Sequence, residues 1–237
     1  MAGELDGRLA LVTGASRGIG AAIAKALAAE GAHVVLTART VGGLEEVDDA
    51  IRGAGGKATL APVDLTDGDK IDVLGASIFQ RFGKLDILIG NAGMLGGLSP
   101  LPHVDPKAWE RAFKLNVHAN FRLIRSFDPL LRASDAGRAV FVTSGAARRV
   151  TPYWGVYSAT KLALEQLVLT YAAEVANSNL KVNLFSPGAT ASRMRAEAMP
   201  GEDPASLPQP DDVAPKILPL LSPACTAHGQ TLTAREG

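Results

Sequence analysis

The feature that most constrains the fold is a regular alternation of short apolar segments with longer amphipathic ones. Strand-like segments occupy residues 8–13, 32–37, 57–63, 85–90, 138–143, 180–186 and, near the end, 229–234. Helix-like segments occupy residues 20–30, 41–53, 67–82, 106–132, 157–177 and 211–221. Strands that are apolar throughout and alternate with helices form parallel sheets covered on both faces. The sequence therefore predicts an α/β fold with a doubly wound parallel sheet.

One irregular region interrupts this alternation. Residues 188–210 contain four prolines and few large apolar side chains, and they follow a predicted strand. In an open α/β sheet, ligands bind in the crevice beyond the carboxyl ends of the strands. We therefore predict a substrate loop at about 188–210 within a single domain spanning residues 1–237. A disordered surface excursion is the alternative.

The composition narrows the functional class. Basic and acidic residues balance at 24 each, which argues against nucleic acid or an anionic membrane as a partner. Cys225 is the one cysteine and the histidines are scattered, so neither an internal disulfide nor a metal site is predicted. The N-terminus lacks signal-peptide features, and no window approaches the roughly 18 apolar residues of a membrane span. We expect a cytoplasmic protein.

A glycine-rich turn follows the first predicted strand. Its motif TGASRGIG places Gly14, Gly18 and Gly20 directly before an alanine-rich helix. Glycines let the backbone approach a pyrophosphate closely, and the free N–H groups of a helix N-terminus favour negative charge. The turn therefore predicts a dinucleotide site, although its G-x-x-x-G-x-G spacing differs from the commonest fingerprint and a tight packing turn is the alternative.

The end of the second predicted strand indicates which dinucleotide binds. NAD enzymes usually place an acidic residue there, but this chain has Ala38 followed by Arg39. The glycine turn adds Arg17, and two guanidinium groups can clamp a ribose 2′-phosphate. NADP(H) is therefore the predicted cofactor, and NAD(H) remains the alternative.

Several motifs together resemble the short-chain dehydrogenase/reductase family. They are TGASRGIG, NAG at 91–93, Ser144, YSATK at 157–161 and SPG at 186–188, in the family's order and across residues 5–235. The resemblance implies a single Rossmann-like domain with about seven strands, assembled into a homodimer or homotetramer. It implies hydride transfer between NADP(H) and a small-molecule carbonyl or secondary alcohol. The segment 194–204 resembles a bacterial branch mostly called oxidoreductases, which leaves the substrate open.

The resemblance also assigns individual residues. The family's catalytic positions fall on Asn116, Ser144, Tyr157 and Lys161. Its cofactor-binding positions include Tyr157 and Lys161 and otherwise fall on Gly14, Ser16, Arg17, Gly18, Ile19, Gly20, Arg39, Asp64, Leu65, Asn91, Ala92, Gly93, Pro187, Gly188 and Ser192. This chain departs from the family at Gly90, where an asparagine is usual, and at Ser192, where a threonine is usual.

The four catalytic positions suggest a chemistry. Tyr157 and Lys161 lie one helical turn apart on one face, so we expect the ammonium to lower the pKa of the phenol. Tyr157 would then serve as acid in reduction and as base in alcohol oxidation. Ser144 would hold the substrate oxygen, and the resemblance implies that Asn116 binds a water linking Lys161 to solvent. Packing roles for all four residues are the alternative.

Other functional readings stay open at this stage. A nucleotide-sensing protein would keep the fold without turnover, and a structural protein would use the long helices at 106–132 and 157–177 as interfaces. We expect those helices to form the homo-oligomer contact in any case. Four arginines near the predicted site would attract an anionic substrate or form ion pairs: Arg148, Arg149, Arg193 and Arg195.

Overall fold

All seven strands of the computed structural model, which describes residues 3–234, belong to one parallel sheet. The spatial order is β3-β2-β1-β4-β5-β6-β7, and every neighbouring pair is parallel. The strands are β1 (Leu9–Thr13), β2 (His33–Thr37), β3 (Lys57–Leu60), β4 (Ile87–Gly90), β5 (Arg138–Val142), β6 (Lys181–Ser186) and β7 (Thr231–Thr233). The predicted doubly wound parallel sheet is confirmed. The predicted domain also includes residues 1, 2 and 235–237, which lie outside the described residues.

Helices cover both faces of this sheet. They are α1 (Gly18–Ala29), α2 (Val41–Gly53), α3 (Gly68–Phe82), α4 (Pro106–Phe113), α5 (Ala119–Arg132), α6 (Gly155–Glu174), α7 (Arg193–Ala198) and α8 (Pro210–Val213). None of the helices within residues 3–234 is long and apolar enough to cross a membrane.

Alternate residues of the central strands enter two separate cores. In β1, Ala10 and Val12 pack with α1 and α2, whereas Leu9 and Leu11 pack with α3, α5 and α6. Side chains of a strand point to opposite faces in turn, so a strand between two helical layers must be apolar at every position. This requirement explains the continuous apolar runs of the sequence and gives the sheet two buried faces.

The prediction of one continuous helix at residues 106–132 is wrong. A π-helical turn (Lys114–His118) separates α4 from α5 and contains the fully buried Asn116. Such turns insert a residue into an α-helix and are frequent at functional sites. The added residue shifts the phase of the apolar pattern by about 100° between α4 and α5, whereas the sequence prediction treated 106–132 as one continuous pattern.

Two other predicted segments differ in detail. The stretch 188–210 contains α7 and a 3₁₀ turn (Pro204–Ser206), so it is partly helical rather than wholly irregular. The predicted helix at 211–221 is α8 followed by a 3₁₀ helix (Ala214–Leu220). Pro215 and Pro219 explain the second difference, because proline removes a donor from the α-helical hydrogen-bond ladder.

The structure gives a reason for Gly90 at the end of β4. A Cβ at this position would lie 2.3 Å from Cδ1 of Phe141 and 2.7 Å from Oδ1 of Asn120. The Phe141 ring and the Asn120 amide thus occupy the space that a side chain would need. This departure from the family pattern is therefore tied to local packing.

We predict that Gly90→Ala lowers the free energy of unfolding by about 1–3 kcal/mol, because the added methyl overpacks the core. Adding Phe141→Leu to that variant should recover part of the loss. Denaturant unfolding of the single and double variants measures this coupling. Gly53→Ala, where a Cβ meets no atom within 4 Å, is the matched control. Equal stability of Gly90→Ala and the unchanged protein would contradict the packing account.

Candidate active site

The glycine turn lies at the point where the sheet order reverses. Strands β2 and β4 flank β1, so their connections leave in opposite directions and open a crevice beyond the carboxyl ends. Gly14 and Gly18 have φ angles of 66° and 57°, a region that favours glycine. A Cβ on Gly20 would lie 2.3 Å from the carbonyl oxygen of Gly14. These three glycines are therefore required by the backbone path.

Hydrogen bonds from β4 hold this turn in place. Asn91 donates its side-chain Nδ2 to the carbonyl of Thr13 at 2.8 Å, and the hydroxyl of Thr13 accepts from the backbone N–H of Asn91 at 2.8 Å. The same hydroxyl accepts from the N–H of Ala92 at 3.0 Å and donates to the carbonyl of Ile89 at 3.0 Å. The ends of β1 and β4 thus form one rigid unit.

The residues of the turn fit a dinucleotide phosphate. No side chain caps the N-terminus of α1, and a Cβ at Gly18 would meet no atom within 4 Å. Uncapped N–H groups at a helix N-terminus favour an anion. Ser16 lies against α2, because a Cβ on Gly43 of that helix would lie 2.9 Å from the carbonyl oxygen of Ser16. Ile19 packs against the hydrophobic core.

The end of β2 carries cations and no carboxylate. Ala38 is buried there, Arg39 and Arg17 are both exposed, and neither forms an ion pair with any of residues 3–234. Burial alone would raise the pKa of Asp64. Hydrogen bonds from Thr66 and the charge of Arg39 together outweigh this effect, so the pKa of Asp64 lies below its ordinary value. The neighbouring Leu65 is buried in the core.

Three predicted catalytic side chains meet at the carboxyl end of β5. Tyr157 and Lys161 are 7% and 3% exposed, and the Lys161 Nζ atom lies 5.7 Å from the centroid of the Tyr157 ring. Lys161 donates to the carbonyl of Val142, the last residue of β5, at 2.8 Å. The Ser144 hydroxyl caps the turn that follows by accepting from the N–H of Ala146 at 3.2 Å.

Asn116 joins this group from the π-helical turn. Its Nδ2 donates to the carbonyl of Met94 at 2.8 Å and to the hydroxyl of Thr160 at 2.9 Å, while its Oδ1 accepts from the N–H of Met94 at 2.8 Å. The side-chain amide of Asn116 therefore links the backbone of Met94 to the side chain of Thr160. A water relay at Asn116 stays a prediction, and it would use the main-chain carbonyl, which already accepts from Asn120.

Other predicted cofactor positions follow the carboxyl ends of β4 and β6. A Cβ on Gly93 would lie 3.3 Å from Oδ1 of Asn116 and 3.7 Å from Nζ of Lys161, so this glycine borders the catalytic group. Pro187 is buried after β6, and Gly188 has a φ angle of 74°. The Ser192 hydroxyl accepts from the N–H of Arg195 at 3.1 Å and caps α7.

An apolar wall packs against the Tyr157 side chain. Trp154 packs edge-on against the Tyr157 ring with centroids 6.1 Å apart, whereas the neighbouring Tyr153 is 59% exposed. The other members come from three separate segments and are Leu95, Leu98, Ala146, Met194 and Ala198. Since these residues share no sequence periodicity, only the fold brings them together.

Two of the four predicted arginines form ion pairs. Arg148 donates its Nε to Glu165 at 3.0 Å, and Arg195 makes two hydrogen bonds to Glu202 at 2.5 and 2.7 Å. Sequence analysis singled out neither glutamate. Glu165 had a detectable signal, because it lies four residues after Lys161 on the same helix.

Comparison with known proteins agrees with this architecture. The family model described as short chain dehydrogenase matches residues 8–203. The chain belongs to the short-chain dehydrogenase family. Homologues named as oxidoreductases and dehydrogenases make the chain an oxidoreductase of this family, as the sequence motifs predicted.

Individual members of the short-chain dehydrogenase family cover the chain almost completely. The uncharacterized oxidoreductase YciK of Escherichia coli K12 is 35% identical over 98% of this chain and 94% of its own. The 7alpha-hydroxysteroid dehydrogenase of the same organism is 33% identical over 99% of this chain and 95% of its own. A short chain dehydrogenase from Escherichia coli CFT073, solved in complex with NADPH, has a TM-score of 0.95, 35% identity and 100% coverage of both chains.

The acidity of Tyr157 corrects an expectation about this short-chain dehydrogenase. We expected Lys161 to lower the pKa of the phenol, but burial raises the pKa of Tyr157 to about 12, and the neighbouring Ser144 hydroxyl only opposes that shift. Burial also lowers the pKa of Lys161 to about 8, against the charge of Glu165. The expectation is wrong for the protein without ligand because removal from water outweighs the neighbouring charge.

We predict that Tyr157 does not ionise below about pH 10, the ordinary value for tyrosine. The ultraviolet absorbance of phenolate, recorded across pH, should therefore rise equally in the unchanged protein and in Tyr157→Phe up to that pH. A phenolate signal near neutral pH that disappears in the variant would contradict the direction of the shift.

Proposed function

We propose that this protein is an NADP(H)-dependent reductase of a ketone or aldehyde, reversible as an alcohol dehydrogenase, with Tyr157 as the proton donor. The observation that carries the proposal is the convergence of Ser144, Tyr157 and Lys161 beside the crevice at the glycine turn. The described residues are proposed to act as one catalytic domain, with the 188–210 segment over the substrate.

The chain's own groups handle the substrate oxygen. Nicotinamide, when bound, supplies or accepts the hydride. Ser144 orients the carbonyl oxygen, and Tyr157 donates its proton as negative charge develops there. Since the pKa of Tyr157 is about 12, the phenol is protonated at neutral pH and ready for the reductive direction. Lys161, 5.7 Å from the ring centroid, stabilises the phenolate that this transfer leaves.

The apolar wall supports a substrate with a nonpolar body. Trp154, Leu95 and Met194 offer dispersion contacts and no charge to the group attached to the carbonyl. Arg148 and Arg195 are paired with glutamates, so they are poor candidates for binding an anionic substrate. A relative named for a hydroxysteroid, an apolar secondary alcohol, agrees with this substrate class.

The cofactor preference rests on charge. Arg17 and Arg39 are exposed at the turn and at the end of β2, and Ala38 stands at the position where an NAD enzyme usually has a carboxylate. Two structural neighbours at 35% identity were solved with NADPH and NADP. We therefore propose that NADP(H) is preferred over NAD(H).

We also propose a homo-oligomer formed through α4, α5 and α6. Large apolar side chains are exposed on these helices: Trp109 at 38%, Phe121 at 49% and Leu162 at 55%. Covering them against a second copy would remove this surface from water.

We predict that Tyr157→Phe lowers kcat/KM for carbonyl reduction by about 10²–10⁴-fold, because the proton donor is lost. The Kd for NADPH should change far less than kcat/KM, because Tyr157 is one of many predicted cofactor contacts. The assay is a screen of ketones, quinones, acyl thioesters and hydroxysteroids with NADPH, and exposed Tyr153→Phe is the matched control. Full turnover by Tyr157→Phe would exclude the proposed donor. Tight NADPH binding without any turnover would favour the nucleotide-sensing alternative.

We predict that Arg39→Ala weakens NADPH binding by about 10-fold or more, because one charge-assisted hydrogen bond contributes about 1.5–3 kcal/mol. NADH binding should change little, since NADH lacks the 2′-phosphate. Fluorescence titration with both cofactors measures the ratio. Arg52→Ala, which removes a cation paired with Asp48 on α2, is the control. Equal losses for NADPH and NADH would argue against the assignment.

A further inference from the structure

Glu165 is a buried carboxylate beside the catalytic group, and the proposed mechanism does not use it. It lies one helical turn after Lys161 on α6 and is 4% exposed. Thr143 donates its hydroxyl to Oε1 at 2.8 Å, and Arg148 donates its Nε to Oε2 at 3.0 Å. Burying an ionised carboxylate is costly, so both of its oxygens need partners, and both have one.

The partners of Glu165 bracket the catalytic serine. Thr143 is the residue between Val142, whose carbonyl accepts from Lys161, and Ser144. Arg148 follows the 3₁₀ turn (Gly145–Ala147) that Ser144 caps. Glu165 therefore fastens α6 to the chain on both sides of Ser144.

Glu165 also acts on Lys161 through its charge. Lys161 is buried and donates to the carbonyl of Val142, and the charge of Glu165 opposes the downward shift that burial gives to the pKa of Lys161. The uncharged phenol of Tyr157 and the amide of Asn116 are its other neighbours. Of the charged side chains on elements packed against α6, Lys181 lies at the opposite strand end, and five others are exposed: Lys107, Glu110, Arg111, Lys114 and His118. Asp128 and His228 contact α6 at Tyr171 and Ala172, ten and eleven residues after Lys161.

We propose that Glu165 is a positioning residue that keeps the buried Lys161 cationic and fixes the Ser144 segment against α6. A role in packing alone would be met by an uncharged amide of the same shape. The charge matters because Lys161 must stay protonated beside Tyr157 for the proton transfer described above. The inference therefore rests on the proposed function.

The direct test is an NMR titration of Lys161 in protein labelled at the lysine side chains, without cofactor or substrate. Glu165→Gln keeps the shape and can still accept from Thr143, but it removes the charge. We expect the titration midpoint of Lys161 to fall by about one pH unit, because an opposite charge nearby favours the cation. An unchanged midpoint overturns the proposal. The resonance is assigned by its absence in Lys161→Met.

Two further variants separate charge from structure. Thr143→Val removes a hydrogen bond and keeps the carboxylate charge, so the Lys161 midpoint should stay close to that of the unchanged protein. Arg148→Gln removes an exposed cation near Glu165, so the midpoint should rise. Because Arg148 is exposed, this variant tests the proposal even if Glu165→Gln does not fold. A midpoint that falls in Arg148→Gln would contradict the proposal.

The activity profile completes the experiment. The alkaline limb of kcat/KM for carbonyl reduction should move to lower pH in Glu165→Gln and stay in place in Thr143→Val. If the unchanged protein reduces carbonyls and the Lys161 midpoint does not respond, only the role of Glu165 fails. If the midpoint responds but no carbonyl is reduced, the proposed function fails and the electrostatic link stands.

Discussion

The candidate site depends on a buried ammonium group. An isolated cation removed from water is strongly destabilised, so Lys161 can remain charged only where the fold supplies compensation. Val142 supplies a carbonyl, and Glu165 supplies an opposite charge. Both compensating groups lie on regular elements, the end of β5 and the next turn of α6, and the surrounding core holds these elements rigidly. The position of the charge is thus a consequence of how α6 packs on the sheet.

The same sheet fixes the distance between the cofactor crevice and this charge. Hydrogen bonds of the Thr13 hydroxyl and the Asn91 side chain join the ends of β1 and β4. Two residues further along the chain, Gly93 lies close to the side chains of Asn116 and Lys161. Each step is a hydrogen bond between a side chain and the backbone or a close approach at a glycine. A small shift of β4 would therefore displace the phosphate turn and the catalytic group together, which favours one arrangement of the site.

Sequence patterns predicted the elements well because each pattern has a local cause. The helix at 41–53 has the predicted bounds, and the i, i+4 spacing places Tyr157 and Lys161 together. Properties that arise from tertiary packing were missed. The π-helical turn at Asn116 was predicted as part of one continuous helix. The pKa of Tyr157 shifts in the direction opposite to our expectation, because a sequence motif does not show how deeply a side chain is buried. The pairing of Arg148 with Glu165 likewise needs the fold.

The raised pKa of Tyr157 and the lowered pKa of Lys161 have one physical origin, the exclusion of water. The pKa of Tyr157 is about 12 and that of Lys161 is about 8, so both groups are protonated near neutral pH. Tyr157 is then a neutral proton donor and Lys161 is a cation. A cation close to a neutral phenol gains most when the phenol becomes an anion. Low dielectric thus weakens the ionisation of Tyr157 at rest and strengthens its stabilisation during proton transfer. Burial thus makes the Tyr157 phenol a weaker acid when it is considered alone. The same burial strengthens the attraction between Lys161 and the negative charge that develops on Tyr157 during proton transfer.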